Sequence, residues 1–291
     1  MTTALNVTKI EYLRAGIDIA FEKLTAGIQS GALCQPVSSL LKKGKRIRPL
    51  ITLLACEAAG GNAASATDAA VGVELLHTAS LIHDDIMDQA TLRRGQPTLH
   101  TAYGLNLALL SGDYLVALAY EAFFRVPLAA REQVLHRANA TYRTLCEGQA
   151  LEEGGQGQTA SLDRMIEIIE KKTASLLEFA VESGALIAGA SPRVREALAR
   201  FGKMLGISFQ IQDDILDVAG TEMETGKDRL LDSKNQKVTL AASRDESTLI
   251  RAKALSLHYM EEALSALKAV AASEARDLLA EFALTLVNRR A

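Results

Sequence analysis

His83-Asp84-Asp85-Ile86-Met87-Asp88 is the stretch on which the reading of this sequence turns, and Gln212-Asp213-Asp214-Ile215-Leu216-Asp217 repeats its pattern 129 positions later. On a helix, positions i and i+4 share a face and i+1 lies beside it. Asp84, Asp85 and Asp88 therefore bring three carboxylates to one spot, and Asp213, Asp214 and Asp217 do the same. Both flanks are apolar, with Leu81, Ile82, Ile86 and Met87 around the first triad and Ile211, Ile215, Leu216 and Val218 around the second. Carboxylates gathered beside apolar walls repel one another and lose hydration, so a cation must neutralise them. Hard oxygen ligands suit Mg²⁺, which keeps several waters and shares carboxylates with phosphate groups, so two such triads can hold a diphosphate through bridging metals. His83 would point toward zinc, but its place one residue before Asp84 turns it off the shared face and gives it a structural role.

Helical periodicity extends outward from both triads. It predicts helices near 7–30, 46–59, 65–89, 105–125, 130–153, 161–189, 193–219, 246–271 and 273–289, with no convincing strand. Breaks fall at Gly60-Gly61-Asn62, Arg94-Gly95-Gln96-Pro97, Gly154-Gly155-Gln156-Gly157 and from Gly220 to Gln236. None reads as an interdomain linker, so the expectation is an all-α fold in which residues 1–291 form one helical bundle around a common interior. The five prolines, Pro36, Pro49, Pro97, Pro127 and Pro192, are expected at joints or first turns rather than in helix interiors.

A net charge of −3 gives no footing for a nucleic-acid partner, which calls for a basic excess. Cys34, Cys56 and Cys146 are odd in number and lack metal-type spacing, which predicts a reduced, cytoplasmic protein without disulfides. No uncharged run approaches the roughly 18 residues that a bilayer demands, so a soluble chain without stable membrane insertion is expected.

A diphosphate also calls for basic side chains. Lys45 and Arg48 stand one turn apart at a helix start, where unpaired backbone N–H groups favour anions. Arg93 and Arg94 follow the first triad by five residues, and Lys172-Thr173 and Gly226-Lys227 complete the set. Lys171 and Arg46 are expected on a solvated surface. His77 lies two turns before Asp84 and can face the same interior. Glu74 and His77 match half of a di-iron helix motif, which is set aside because the sequence holds no second copy.

Together, Gly-Lys-Arg-Ile-Arg-Pro at 44–49, Leu-Ile-His-Asp-Asp-Ile-Met-Asp at 81–88, Arg-Arg-Gly at 93–95, Gly-Gln at 148–149, Lys-Thr at 172–173 and Phe-Gln-Ile-Gln-Asp-Asp-Ile-Leu-Asp at 209–217 resemble the trans-isoprenyl diphosphate (polyprenyl) synthase family in order and spacing. The resemblance implies a large helical bundle, usually a homodimer, with the two aspartate motifs facing each other across a deep cavity. It implies that Asp84, Asp85, Asp88, Asp213, Asp214 and Asp217 hold about three Mg²⁺ on an allylic diphosphate, as metal clamps on phosphoryl oxygens do elsewhere, helped by Arg93, Lys172, Lys227 and Lys237. Isopentenyl diphosphate would be held by Lys45, Arg48, His77 and Arg94, while Thr173, Gln210 and Lys172 would stabilise the developing carbocation. No protein nucleophile is required, since released pyrophosphate can serve as the base.

In the family, bulky aromatics four and five residues before the first aspartate close the pocket under the growing chain. Here Ser80 and Ala79 occupy those positions, which implies geranylgeranyl or longer products, with a farnesyl synthase as the alternative. Tyr120, Phe123 and Phe124 are then the candidates for a deeper floor. The chain departs from the family pattern at Leu230 and Gln236, where glycines are usual, and at Glu152, where aspartate is usual. A class I terpene cyclase and a non-catalytic regulatory subunit are the rival readings. All six aspartates and the Lys45/Arg48 pair speak against both.

Overall fold

The computed structural model describes residues 4–41, 44–93, 95–155, 161–219 and 246–287, with the side chains of 4–7, 217–219 and 246–247 excepted. The chain is all-α. Its helices are α1 (Ala4–Ala26), α2 (Gly31–Leu41), α3 (Ile47–Ala58), α4 (Thr67–Met87), α5 (Leu99–Tyr103), α6 (Leu105–Arg125), α7 (Leu128–Gly154), α8 (Leu162–Ile169), α9 (Ser175–Ile187), α10 (Pro192–Ala219), α11 (Glu246–Ala266) and α12 (Glu274–Val287).

α9 lies at the centre, packed against α3, α4, α7 and α10. Its sequence accounts for this, because Leu176, Leu177, Phe179, Ala180, Val181 and Ala185 bury apolar surface on every side. α4 packs most extensively on α6, and α10 on α11 and α9. Two glycines permit the close approach of α4 and α6. A Cβ on Gly72 would lie 2.4 Å from the ring of Phe123, and one on Gly112 would lie 2.2 Å from His83 Nε2. α6 is long and apolar enough to cross a membrane by composition, but its Leu115, Leu118, Ala119, Ala122 and Phe123 are buried in the protein core.

The structure corrects the sequence reading in several places. α1 ends at Ala26 and is followed by a separate helix, α2, that the reading missed. Pro36 is buried inside α2, so one proline does occupy a helix interior and costs that short helix a backbone hydrogen bond. A small hairpin is present, with Leu92–Arg93 antiparallel to Gln96–Pro97 and Gly95 at φ +70° in its turn. The helix expected over 161–189 is two helices joined by a π turn at Glu170–Ala174.

Candidate active site

α4 carries Asp84 and Asp85 and is capped at its C-terminus by Asp88, while α10 carries Asp213 and Asp214. Asp85 is buried, and the Asp84 side chain is 16% exposed. Both arise from one helix face that meets the core through Ile82 and the solvent through Met87.

The π turn between α8 and α9 links the two acidic helices. Lys172 Nζ lies 2.5 Å from Glu152 Oε2 of α7 and 3.9 Å from Asp84 Oδ2 of α4. The next residue, Thr173, donates its hydroxyl to Gln210 Oε1 at 2.9 Å, and Gln210 Nε2 donates to Asp214 Oδ1 at 2.9 Å. Lys172 thus reaches the first motif and Thr173 the second. With its proton committed to Gln210, the Thr173 oxygen has only lone pairs left to offer. The π turn carries one more residue per turn than an α-helix, so it shifts the faces of α9 relative to those of α8 at the point where Lys172 and Thr173 make these contacts.

Arg93, on the first strand of the hairpin, brings Nε and Nη2 to within 2.7 Å of Asp85 Oδ1. Burial pulls the Arg93 pKa down, but the hydrogen bond to Asp85 and the charges of Asp85, Asp84 and Asp88 outweigh it and raise the pKa above its ordinary value. All three aspartates of the first motif therefore act on one guanidinium, as their helical spacing requires. His83 points away from them, with Nε2 3.5 Å from Asp113 Oδ1 on α6.

Lys45 is exposed and precedes α3, so the two cations are split between a turn and a helix rather than lying on one helix. Arg48 is half-buried in the first turn of α3, and His77 is half-buried on α4. Arg46 departs most from expectation: it is 4% exposed and ion-paired to Asp18 and Glu74. Lys171 is partly exposed and pairs with Glu147 and Glu167. Ala79 is fully buried, and Ser80 donates its hydroxyl to the backbone oxygen of His77. Phe123 is buried edge-on to Tyr120 and Phe179, whereas Phe124 is 59% exposed and forms no part of an interior floor. Arg94, the Asp217 side chain, Lys227, Leu230, Gln236 and Lys237 lie outside the described residues.

Sequence reasoning noted Glu152 only as standing where aspartate is usual and gave it no partner, whereas it is the nearest partner of Lys172; Phe179, which backs Phe123, was missed. Gly148, read only as part of the Gly-Gln motif, has its α7 backbone against the π turn; a Cβ there would come within 2.6 Å of the Lys172 backbone nitrogen. The signal for Glu152 was a carboxylate three positions after Gln149 in the Gly-Gln motif.

Among the described residues, no three His, Cys, Asp or Glu side chains gather closely enough to hold a metal by themselves. The donors on α4 and α10 are all carboxylates, which fits a hard cation that completes its shell with water and phosphate oxygens, and does not fit zinc in a protein cage. A cleft of about 410 Å³ between α1, the start of α4 and α6 lies at the far end of α4 and shares no residue with this set.

The family model described as polyprenyl synthetase matches residues 31–271. A geranylgeranyl diphosphate synthase of Methanosarcina mazei is 37% identical over 239 residues, covering 80% of this chain and 74% of that protein. The crystal structure of geranylgeranyl pyrophosphate synthetase from Pyrococcus horikoshii superposes with a TM-score of 0.89 at 30% identity, over 97% of this chain and 98% of that one. The polyprenyl synthase from Caulobacter crescentus, solved with calcium and isoprenyl diphosphate, gives a TM-score of 0.84 at 30% identity, over 98% and 97% of the two chains.

Proposed function

The chain belongs to the polyprenyl synthetase family of prenyltransferases, and from that premise we propose that it condenses isopentenyl diphosphate with an allylic prenyl diphosphate, head to tail, with release of pyrophosphate. The observation that carries this reading is the π turn, which connects Lys172 to Asp84 and Thr173 through Gln210 to Asp214. A cation, carboxylates and lone pairs joined in this way suit a site where a diphosphate would leave and a carbocation would form.

Asp84, Asp85, Asp88, Asp213, Asp214 and Asp217 would hold about three Mg²⁺, which when bound neutralise charge on the leaving diphosphate. Lys172, Arg93, Lys227 and Lys237 would bind the same group through the protein. As the allylic C1–O bond breaks, its electron pair leaves with pyrophosphate. The Thr173 oxygen and the Gln210 amide then stabilise the cation, and the apolar helices exclude water that would quench it. Lys45, Arg48, His77 and Arg94 would orient isopentenyl diphosphate, whose double bond attacks C1. The proton released as the new double bond forms goes to pyrophosphate.

The small side chains of Ala79 and Ser80 support geranylgeranyl or longer products. Phe123, backed by Phe179 and seated on Gly72, would form the floor. From Asp84 to Gly72 is roughly 18 Å along α4 at the helical rise. Ala79→Phe is expected to shorten the main product, read by mass spectrometry; an unchanged product would remove Ala79 from the pocket.

Residues 1–291 would form one domain that pairs as a homodimer in the cytoplasm, without nucleic acid or membrane insertion. Exposed Leu105, Leu109, Leu110 and Phe124 on α6 support pairing. The test is product analysis of the purified protein with Mg²⁺, isopentenyl diphosphate and, separately, dimethylallyl, geranyl or farnesyl diphosphate. A ladder ending at one prenyl diphosphate, abolished by chelator, is expected. Hydrocarbon in its place would reveal a cyclase, and full turnover in excess chelator would defeat the metal assignment.

A further inference from the structure

We propose that Arg46 is a positioning residue for the isopentenyl diphosphate end of the reaction: its buried guanidinium locks the turn at 44–48, so that Lys45 and Arg48 are presented together beside the part of α4 that carries His77. This rests on the reading of Lys45, Arg48 and His77 as diphosphate ligands.

The backbone of Arg46 is left-handed, with φ 52° and ψ 35°, a conformation that costs an L-residue free energy and persists only where the surroundings impose it. Four contacts from three helices do so. Nε donates to Asp18 Oδ1 of α1 at 3.0 Å, and Nη2 donates to the backbone oxygen of Leu41, the last residue of α2. Nη1 lies 3.8 Å from Glu74 Oε1 of α4, and the guanidinium sits 4.5 Å from the centre of the Phe21 ring. The Leu41 carbonyl is one of those a helix end leaves without an intrahelical partner, so a charged donor there ties off α2. Two carboxylates neutralise a cation that could not otherwise stay buried.

These contacts fix the outward side of the turn as well. With Arg46 turned into the core, Lys45 on one side of it is exposed and Arg48 on the other is half-buried in the first turn of α3. That turn has no side-chain cap, and its backbone N–H groups favour an anion. Gly44 completes the fit, because a Cβ there would come within 3.2 Å of Arg46 Nη1. Glu74, at the α4 end of the clamp, lies one helical turn before His77. One side chain therefore ties both parts of the proposed diphosphate site together, through an ion pair on one and its own backbone on the other. A lysine could supply the charge but not the planar fork that reaches separate acceptors at once.

The experiment compares KM for isopentenyl diphosphate and for the allylic diphosphate, with Tm, in the full chain and in Arg46→Lys, Arg46→Gly, Asp18→Asn, Lys45→Ala and Arg48→Ala. Arg46→Gly relieves the left-handed backbone while removing the clamp, and Arg46→Lys keeps the charge without the fork. Each is expected to raise KM for isopentenyl diphosphate about tenfold while the allylic KM stays within about twofold. Asp18 is half-exposed, so Asp18→Asn disturbs the clamp mildly and remains informative if Arg46→Gly does not fold; a rise of about threefold in the same KM is expected. Equal changes in both KM values, or no change in Arg46→Lys and Asp18→Asn, would overturn the positioning role. Unchanged isopentenyl diphosphate KM in Lys45→Ala and Arg48→Ala would instead overturn the assignment of the diphosphate site itself, and the role of Arg46 with it.

Discussion

Asp84→Asn is expected to lower kcat by about a thousandfold, a magnitude typical of deleting one preorganised electrostatic contact in an active site. The same change is expected to leave Tm unchanged or to raise it. Asp84 shares its helix face with Asp88, lies beside Asp85 and is 3.9 Å from Lys172. Asparagine keeps its size, so the packing of α4 on α6 is undisturbed, while removal of one of three neighbouring negative charges relieves their repulsion. Activity and stability should therefore move apart, which a folding defect cannot produce. Measuring kcat across a Mg²⁺ series, with Tm in metal-free buffer, checks both. A kcat within tenfold of the parent at saturating Mg²⁺ would take Asp84 out of the reaction.

Gly148→Ala is the second large effect expected, and here activity and stability should fall together. The added methyl would sit 2.6 Å from the Lys172 nitrogen and 2.9 Å from the Lys171 carbonyl carbon, distances that require the backbone to shift. Overpacking of this kind costs about 1–3 kcal/mol. The backbone displaced is the one that carries Lys172 and Thr173, the residues proposed to act on the allylic diphosphate and its carbocation, and a displacement of about 1 Å at a reacting centre costs on the order of a hundredfold in rate. Urea denaturation and steady-state kinetics on the same preparation read the two effects. Parent-like kcat alongside a lowered midpoint would mean that the π turn tolerates movement and that the geometry around Lys172 is not limiting.

The pattern of the first acidic motif was legible because a helix fixes the relation between i and i+4, and the charges of Asp84, Asp85 and Asp88 all act on Arg93, although no three acidic side chains gather closely enough to hold a metal by themselves among the described residues. The long helices were legible for a similar reason: α9 and α3 carry apolar residues that have nowhere to go but the core. What escaped depended on tertiary partners that periodicity does not encode. Arg46 reads as one more surface cation until Asp18, Glu74 and Phe21, distant in sequence, are found around it. α2 escaped because its eleven residues include Pro36, which argues locally against a helix. Tyr120, Phe123 and Phe124 form one aromatic run in sequence, yet Phe123 is buried and Phe124 exposed, since adjacent helical positions differ by about 100° in direction. The π turn escaped because Ile168-Ile169 and Leu176-Leu177 stand eight residues apart, close to two helical turns, so the polar Glu170-Lys171-Lys172-Thr173 between them reads as one exposed face of an unbroken helix.

That turn sets a condition for anyone who would build such a site anew. A designer drawing one ideal helix from Leu162 to Ile187 would obtain a smoother element, and one easier to stabilise. Without the extra residue of the π turn, however, one side of it would be rotated by about 100° relative to the other, so such a helix would keep either the faces that α9 packs on α3, α4, α7 and α10 or the contacts of Lys172 and Thr173, and lose the other. The irregular turn acts as a phase correction, allowing one rod to satisfy two surfaces whose periods do not match. An idealised backbone would erase it, and with it the ties from Lys172 to Asp84 and from Thr173 through Gln210 to Asp214.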